Sequence, residues 1–276
     1  MAEEKKKKKK KGGFGTWMYR IVMLLLLCVI GFSGYKVYTI WDEYHSGTVA
    51  YDDLARIAGA VEEKAKPGAG KKDKDEKPAR LKIDWEALQE QGPGVKGWLR
   101  SVGTSINYPV VQGSDNDYYL RHIMTGEYSN KGSLFIDYRC PAPFEDFLTI
   151  IYGHRMMDDT MFNSLGNYFE KKDYFKKHAV VELYTPDGDY DLQIFGAANV
   201  NAKDYSIYNF ELYDEASQQA YIDWILENNE LLNYDDSVKV KPGDRIVMLS
   251  TCTYDPGDDR IVVWAKMVPV KEKKDN

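Results

Sequence analysis

The sequence predicts a mostly β domain, a barrel or a sandwich with one inserted helix, tied to a membrane by an N-terminal transmembrane helix. Three observations carry this. From Leu81 onward, eight short β-rich runs recur: Trp98–Val102, Tyr108–Val111, Ser133–Ile136, Phe147–Tyr152, Val180–Tyr184, Tyr190–Val200, Arg245–Ser250 and Arg260–Val270. Turn residues such as Pro186-Asp187-Gly188 and Pro242-Gly243-Asp244 separate them, the pattern of closed or double-layered sheets. Between the sixth and seventh runs, Asp214 to Asn229 changes period. Its apolar residues Ala216, Ala220, Tyr221, Trp224, Ile225 and Leu226 recur at three and four, and Asp214-Glu215 suit a positive helix N-terminus. Near the start of the chain, Ile21 to Ile30 is wholly apolar.

That apolar run follows a lysine run, Lys5 to Lys11, and Arg20. Apolar character continues through Gly31 to Tyr35 and, past Lys36, through Val37 to Trp41. Only 15 residues separate Arg20 from Lys36, fewer than the roughly 20 that cross a bilayer. Both charged side chains can snorkel, and Trp17, Tyr19, Tyr35, Tyr38 and Trp41 suit the interfaces. Residues 1–20 are therefore expected to be a cytoplasmic basic tail and 21–41 a single-pass signal-anchor in the cell membrane, with the remaining chain outside. A cleaved signal peptide needs small residues after the apolar stretch, and no convincing site follows. Cys28 comes after four leucines, as a membrane-facing thiol and not as a lipidation site.

Asp42 to about Glu63 has helical spacing through Tyr44, Val49, Leu54, Ile57 and Val61. Glu62 to Arg80 is rich in Lys, Glu, Asp, Pro, Gly and Ala, the composition of a solvated linker. Residues 42–80 thus read as a juxtamembrane helix and charged linker, and 81–276 as the extracellular domain. Met161 to Lys177 reads as one or two short helices.

Charge is divided unevenly. Residues 1–80 hold 17 Lys and Arg against 11 Asp and Glu, while residues 81–276 hold 20 against 32, a net of −12. So acidic a domain excludes nucleic acid as a partner, because binding it needs basic surface against phosphates. Three cysteines without close spacing read as free thiols, and a Cys140–Cys252 bridge is not expected. No CxxC or HExxH pattern occurs, and Asp255-Pro256-Gly257-Asp258-Asp259 lacks EF-hand spacing. That loop reads as a solvated turn, and neither metal nor cofactor is expected.

The chemistry is concentrated in three residues. Cys252 ends the strand run Ile246 to Leu249, and Arg260, eight residues on, opens the run Ile261 to Trp264. A thiol and a guanidinium so placed can face each other across a loop, which suits acyl transfer through a thioester. His154, in Tyr152-Gly153-His154, ends the run Phe147 to Ile151 and supplies an acid–base group. Blander readings compete: a buried strand-end thiol, a loop histidine capping Asp158-Asp159, and a surface arginine paired to Asp258 or Asp259. His45, His122 and His178 have no comparable setting.

Met248-Leu249-Ser250-Thr251-Cys252 resembles the Thr-Leu-x-Thr-Cys pattern of sortases, the membrane-tethered cysteine transpeptidases of Gram-positive bacteria, with Met248 in place of the first Thr. The resemblance covers roughly Leu81 to the C-terminus. It places the family's nucleophile at Cys252, its His at His154 and its Arg at Arg260. Ile83-Asp84-Trp85, Gly97-Trp98-Leu99, Asn107-Tyr108-Pro109-Val110-Val111-Gln112 and Asp115-Asn116-Asp117-Tyr118-Tyr119-Leu120 are similar to class B in order. So is the long helix before Arg245, and no Asp-Pro-aromatic lid of class C precedes the domain.

The resemblance implies an eight-stranded closed β-barrel with Asn116, Leu120 and Ser250 lining the peptide groove. It also implies thiol-protease-type cleavage of a secreted protein's sorting signal after Thr. The thioacyl-enzyme would then pass to a cell-wall amine, on peptidoglycan or a lipid-linked precursor. Class B relatives favour Asn-Pro-x-Thr signals, often on haem-acquisition proteins, and Leu-Pro-x-Thr signals stay open. Thr253 stands where relatives can carry an acidic residue, which leaves substrate contacts on that side open.

Three rivals differ in pattern. An L,D-transpeptidase-like cross-linker places His and Gly just before its Cys and Arg about two residues after, and a papain-like hydrolase has its Cys opening a helix. A tethered, non-catalytic binding module would keep its activity without the thiol. The chain ends Val270-Lys271-Glu272-Lys273-Lys274-Asp275-Asn276 without a sorting signal, so the expectation is an enzyme that anchors others.

Overall fold

The structure, a computed structural model, describes residues 14–60, 78–201, 203, 206–234, 236–252 and 258–271. The lysine run, most of the charged linker, Thr253, the Asp255-Pro256-Gly257 part of the acidic loop and the tail beyond Lys271 lie outside the described residues.

Helix α1 (Phe14–Ile57) joins the predicted apolar and juxtamembrane segments in one element of 44 residues. It is long and apolar enough to cross a membrane. Between Val22 and Trp41 its large apolar residues are exposed around the helix, Leu24 at 62% and Ile30 at 66%, so water is a poor solvent for this face. By contacts the chain divides into residues 1–46 and 47–276.

Within the second unit, the end of α1 is part of the folded domain. Tyr51, Leu54 and Ala58 are buried, and Tyr51 meets Tyr108 edge-on with ring centroids 5.0 Å apart. The Tyr51 hydroxyl donates to the Gly132 carbonyl and lies 3.3 Å from Ser133 Oγ. Asn107 Nδ2 donates to Ala60 O at 3.0 Å, and Asp84 N donates to Ala58 O at 3.0 Å.

Helix α2 (Trp85–Gln91) starts where Asp84 caps it, accepting from Ala87 N at 3.0 Å. All eight predicted β runs are strands: β1 (Val95–Arg100), β2 (Asn107–Gln112), β3 (Leu134–Ile136), β4 (Leu148–Tyr152), β5 (Val180–Thr185), β6 (Gly188–Asn201), β7 (Ile246–Cys252) and β8 (Asp259–Pro269). They close into a barrel in the order β1-β2-β3-β4-β7-β8-β6-β5, so the open choice between barrel and sandwich resolves to a barrel. Six of the pairings are antiparallel; β2 with β3 and β4 with β7 are parallel.

Met161–Lys177 forms a 3₁₀ turn (Asn163–Gly166) and two single-turn helices, α3 (Asn167–Glu170) and α4 (Tyr174–Lys177). The inserted helix α5 (Glu215–Glu227) starts at Asp214, whose side chain accepts from Ser217 N while Ser217 reaches back to Asp214 N. Its buried face, Tyr221, Ile222 and Ile225, packs with Leu148, Met248, Val262 and Trp264 from β4, β7 and β8. Trp264 Nε1 donates to Tyr221 Oη at 3.2 Å. Gly196 sits at a bulge in β6, and a Cβ there would lie 2.6 Å from Ile225 Cγ2. The helix can approach the sheet only because that position has no side chain.

Since Tyr51 joins α1 to the barrel through a buried hydroxyl, Tyr51→Phe is expected to destabilise the domain by about 1 kcal/mol. Chemical denaturation of the full chain checks this; a midpoint equal to that of the unmodified protein would place residues 47–60 outside the cooperative unit.

Candidate active site

Topology brings the three chemical residues to one rim. β4 and β7 run parallel, with Tyr152 opposite Ser250, so both strands end on the same side of the barrel. β8 runs antiparallel to β7 with Arg260 as the register partner of Cys252, so β8 begins where β7 ends. His154 lies two residues beyond the Tyr152–Ser250 pair, and Gly153 N donates to Ser250 O at 3.1 Å. A Cβ at Gly153 would lie 2.5 Å from Leu134 Cδ2 and 2.7 Å from Phe162 Cδ2. Glycine therefore lets the chain turn tightly between the strand and His154.

These elements frame a cleft of about 200 Å³ lined by Asn116, Leu120, Phe135, Tyr152, Gly153, His154, Ser250, Thr251 and Arg260. It includes every residue named from the sequence except Cys252, whose strand position directly follows Thr251. Asn116 Oδ1 accepts from Tyr138 N at 3.1 Å. Leu120 ends a 3₁₀ turn (Tyr118–Leu120), and its carbonyl lies 2.8 Å from His154 Nε2. Ser250 is buried, its Oγ 3.2 Å from Tyr208 Oη.

His154 is therefore held by the turn that presents Leu120, not by Asp158-Asp159. Asp158 instead meets the buried Lys131 Nζ at 2.5 Å, and Asp159 accepts from Asn163 Nδ2 at 2.6 Å. Burial pushes the His154 pKa below the ordinary imidazole value; the Leu120 carbonyl pulls it back, and Arg121 depresses it further. Burial thus favours the neutral ring. Arg260 Nη1 donates to the Asp259 carbonyl at 3.0 Å, while Asp258 pairs with Lys203 at 2.9 Å.

Other candidates have structural employment. His122 Nδ1 lies 2.8 Å from Tyr118 O with its ring stacked on Tyr118, and His178 Nδ1 lies 3.1 Å from Val102 O. His45 stacks on Trp41. Cys140 is buried and free, its Sγ 3.7 Å from Leu148 O, and burial pushes its thiol up to about 11. It is neither a disulfide partner nor a ready nucleophile.

The sequence reading missed three groups that line the cleft and one, Tyr208, that packs against two lining residues. Tyr152 was legible, since strand alternation puts it two positions from His154. Phe135 enters only through its pairing with Tyr152, and Tyr208 only through the long connection between β6 and α5. Thr251 lines the cleft beside Cys252, and its buried Oγ1 has no hydrogen-bond partner among the described residues.

Known proteins resemble this chain. A model of the sortase domain matches residues 101–268. Sortase B of Staphylococcus aureus is 34% identical over 254 residues, covering 91% of this chain and 96% of that protein. Sortase B of Listeria monocytogenes is 31% identical over 258 residues, covering 92% and 98%. Among solved structures, a Staphylococcus aureus sortase B–substrate complex superposes with a TM-score of 0.62 at 36% identity, over 67% of this chain and 85% of that one. Sortase B from B. anthracis, in complex with AAEK1, gives 0.68 at 29% identity, over 83% and 100%. Relatives this similar along nearly their whole length place the chain in the sortase family, and within it in class B.

Proposed function

We propose that this sortase is anchored by α1 with its N-terminus in the cytoplasm, and that Cys252, His154 and Arg260 carry its transpeptidation. The observation that supports the assignment most is the strand register, with Cys252 opposite Arg260 and His154 just past the parallel neighbour of the same strand. A sorting signal, of Asn-Pro-x-Thr or Leu-Pro-x-Thr type, lies in the cleft between Leu120, Tyr152 and Ser250.

Neutral His154 takes the proton of the Cys252 thiol, and the thiolate so formed attacks the Thr carbonyl carbon, forming a C–S bond and a tetrahedral oxyanion. The Arg260 guanidinium faces that oxygen, a contribution of a few kcal/mol where water is excluded. As the C–N bond breaks, protonated His154 gives its proton to the departing amine, leaving a thioester on Cys252. A cell-wall amine then attacks the same carbon and gives a proton to neutral His154. The C–S bond breaks, and the thiolate returns as the new amide forms. With Nε2 near the Leu120 carbonyl, His154 offers Nδ1 for these transfers.

The full chain in detergent is expected to cleave one motif class after Thr and to trap a covalent adduct at Cys252, seen by intact mass. Cys252→Ala abolishes both, and Arg260→Ala lowers kcat by roughly 10²- to 10³-fold. Cleavage that persists in Cys252→Ala would overturn the assignment.

NMR titration of the His154 ring is expected to give a pKa below about 6.5, the value of a free imidazole. Because the folded pKa is the lower one, the stability that neutral His154 contributes is complete above about pH 6.5. It is lost as pH falls through the folded pKa. A midpoint above the free value would mean that a neighbouring anion, not burial, governs the ring.

Protease added outside intact cells is expected to digest the barrel and spare the lysine-rich end, following the rule that basic flanks stay inside. Digestion of the lysine-rich end, with the barrel spared, would reverse the orientation.

A further inference from the structure

We propose that Asp137 and Arg139 are positioning residues that hold the peptide cleft in its receptive shape, an assignment that rests on the cleft being the sorting-peptide site. Residues 137–139 follow β3; Asp137 and Tyr138 secure the cleft-lining Tyr152 and Asn116, and Arg139 secures the connection that carries Tyr208 against Tyr152 and Ser250.

Asp137 is fully buried, and all its acceptor positions are used. Oδ1 accepts from Arg139 N and Nε, both at 2.9 Å, while Oδ2 accepts from Arg139 Nη2 at 2.7 Å and the Tyr152 hydroxyl at 2.9 Å. Its backbone is fixed too, since Asp137 N donates to Ile150 O at 3.0 Å and Gln112 Nε2 donates to Asp137 O at 3.2 Å. Burial alone would raise the carboxyl's pKa; the Arg139 and Tyr152 hydrogen bonds outweigh it and hold the group below the usual carboxylate value.

Tyr138 N donates to Asn116, a second wall. Arg139 lies over the Phe210 ring, 4.9 Å from its centroid, in the connection between β6 and α5. Tyr208, two residues earlier, stacks on Tyr152 with centroids 6.2 Å apart and reaches Ser250.

The contacts close a ring: Asp137 to Tyr152, Tyr152 to Tyr208, along the chain to Phe210, then to Arg139 and back to Asp137. Tyr152 turns its hydroxyl away to Asp137 while lining the cleft, and two residues later the chain presents His154. None of these side chains supplies the nucleophile or the acid–base group, so the ring bears on peptide capture more than on bond making. A wall already in place when the peptide arrives saves the ordering that binding would otherwise require.

The test compares Asp137→Asn, Arg139→Lys and Tyr152→Phe with the unmodified full chain. The readouts are KM and kcat for a sorting peptide, alkylation of Cys252 by iodoacetamide, and amide hydrogen exchange. Asp137→Asn and Arg139→Lys are expected to raise KM about tenfold while kcat and alkylation stay within about twofold. Exchange should quicken at residues 206–213 and at Tyr138, with β5 and β6 unchanged, and Arg139→Lys should be the milder variant.

Unchanged KM and unchanged exchange in both variants would overturn the proposal. If either variant unfolds, Tyr152→Phe, which keeps the ring and removes only the hydroxyl, decides by exchange alone: quickening at Tyr138 and 206–213 supports the proposal, and no change overturns it. If the unmodified chain turns over no sorting peptide, the peptide-site reading fails by itself. Exchange then still tests the clamp: local quickening at 206–213 supports it, and no change removes it.

Discussion

Two strands that run parallel carry their C-terminal ends to the same rim, and a strand antiparallel to them must begin there. In this barrel β4, β7 and β8 are three such neighbours. Reversing β7 would send Cys252 to the far rim, away from His154, and would separate it from Arg260 as well. The site therefore depends on the parallel β4–β7 ladder before any side chain is considered. Parallel neighbours cannot be joined by a tight hairpin, so the chain between them is long enough to include β5, β6 and α5. That connection covers the outside of the ladder with Tyr221, Ile222 and Ile225, which gives the pair the burial on both faces that parallel strands require.

The electrostatics follow from the same placement. The domain beyond Leu81 is strongly acidic, yet the rim of the cleft holds a guanidinium and a histidine whose burial favours the uncharged form. A neutral base accepts a proton from an incoming amine, whereas an imidazolium cannot. Arg260 remains charged throughout, so the rim retains one positive charge whichever protonation state His154 adopts. Asp137, the buried anion behind the cleft, is neutralised locally by the Arg139 fork. It therefore fastens Tyr152 while its own charge is matched by Arg139 and not by Arg260.

How much of this was legible in the sequence divides along a physical line. Strands announce themselves through β-branched and aromatic runs, and all eight were visible, as was α5 through its period and its Asp214 cap. Helix α2 was missed although Asp84 stood at its start, because seven residues hold too few turns to establish a period. His154, Cys252 and Arg260 were all legible as ends of strand runs, and the register places those three positions on one rim. Phe135 and the supporting Tyr208 and Phe210 were not, because their places depend on pairings or connections that no local pattern encodes. The continuity of α1 was also hidden: the charged residues Asp42 and Glu43 read as a boundary, but a helix tolerates exposed charge without ending.

The division has a consequence for specificity. Both parallel pairs need crossovers, and both bear on the cleft. The connection from β2 to β3 contributes the lining residues Asn116 and Leu120, and the one from β6 to β7 packs Tyr208 against the lining residues Tyr152 and Ser250. The strand ends are constrained by register, so a one-residue slip there would move every side chain of the strand to the opposite face. The crossovers bear no such constraint, and a related chain can alter them while keeping its chemistry. Asp137 and Arg139 stand where the two regimes meet, just after β3, with one side chain fastened to a strand and the other laid over a crossover. A rigid anchor at that junction lets a variable connection present a fixed wall to the peptide, and it keeps recognition and bond making in register without making either depend on the other's sequence.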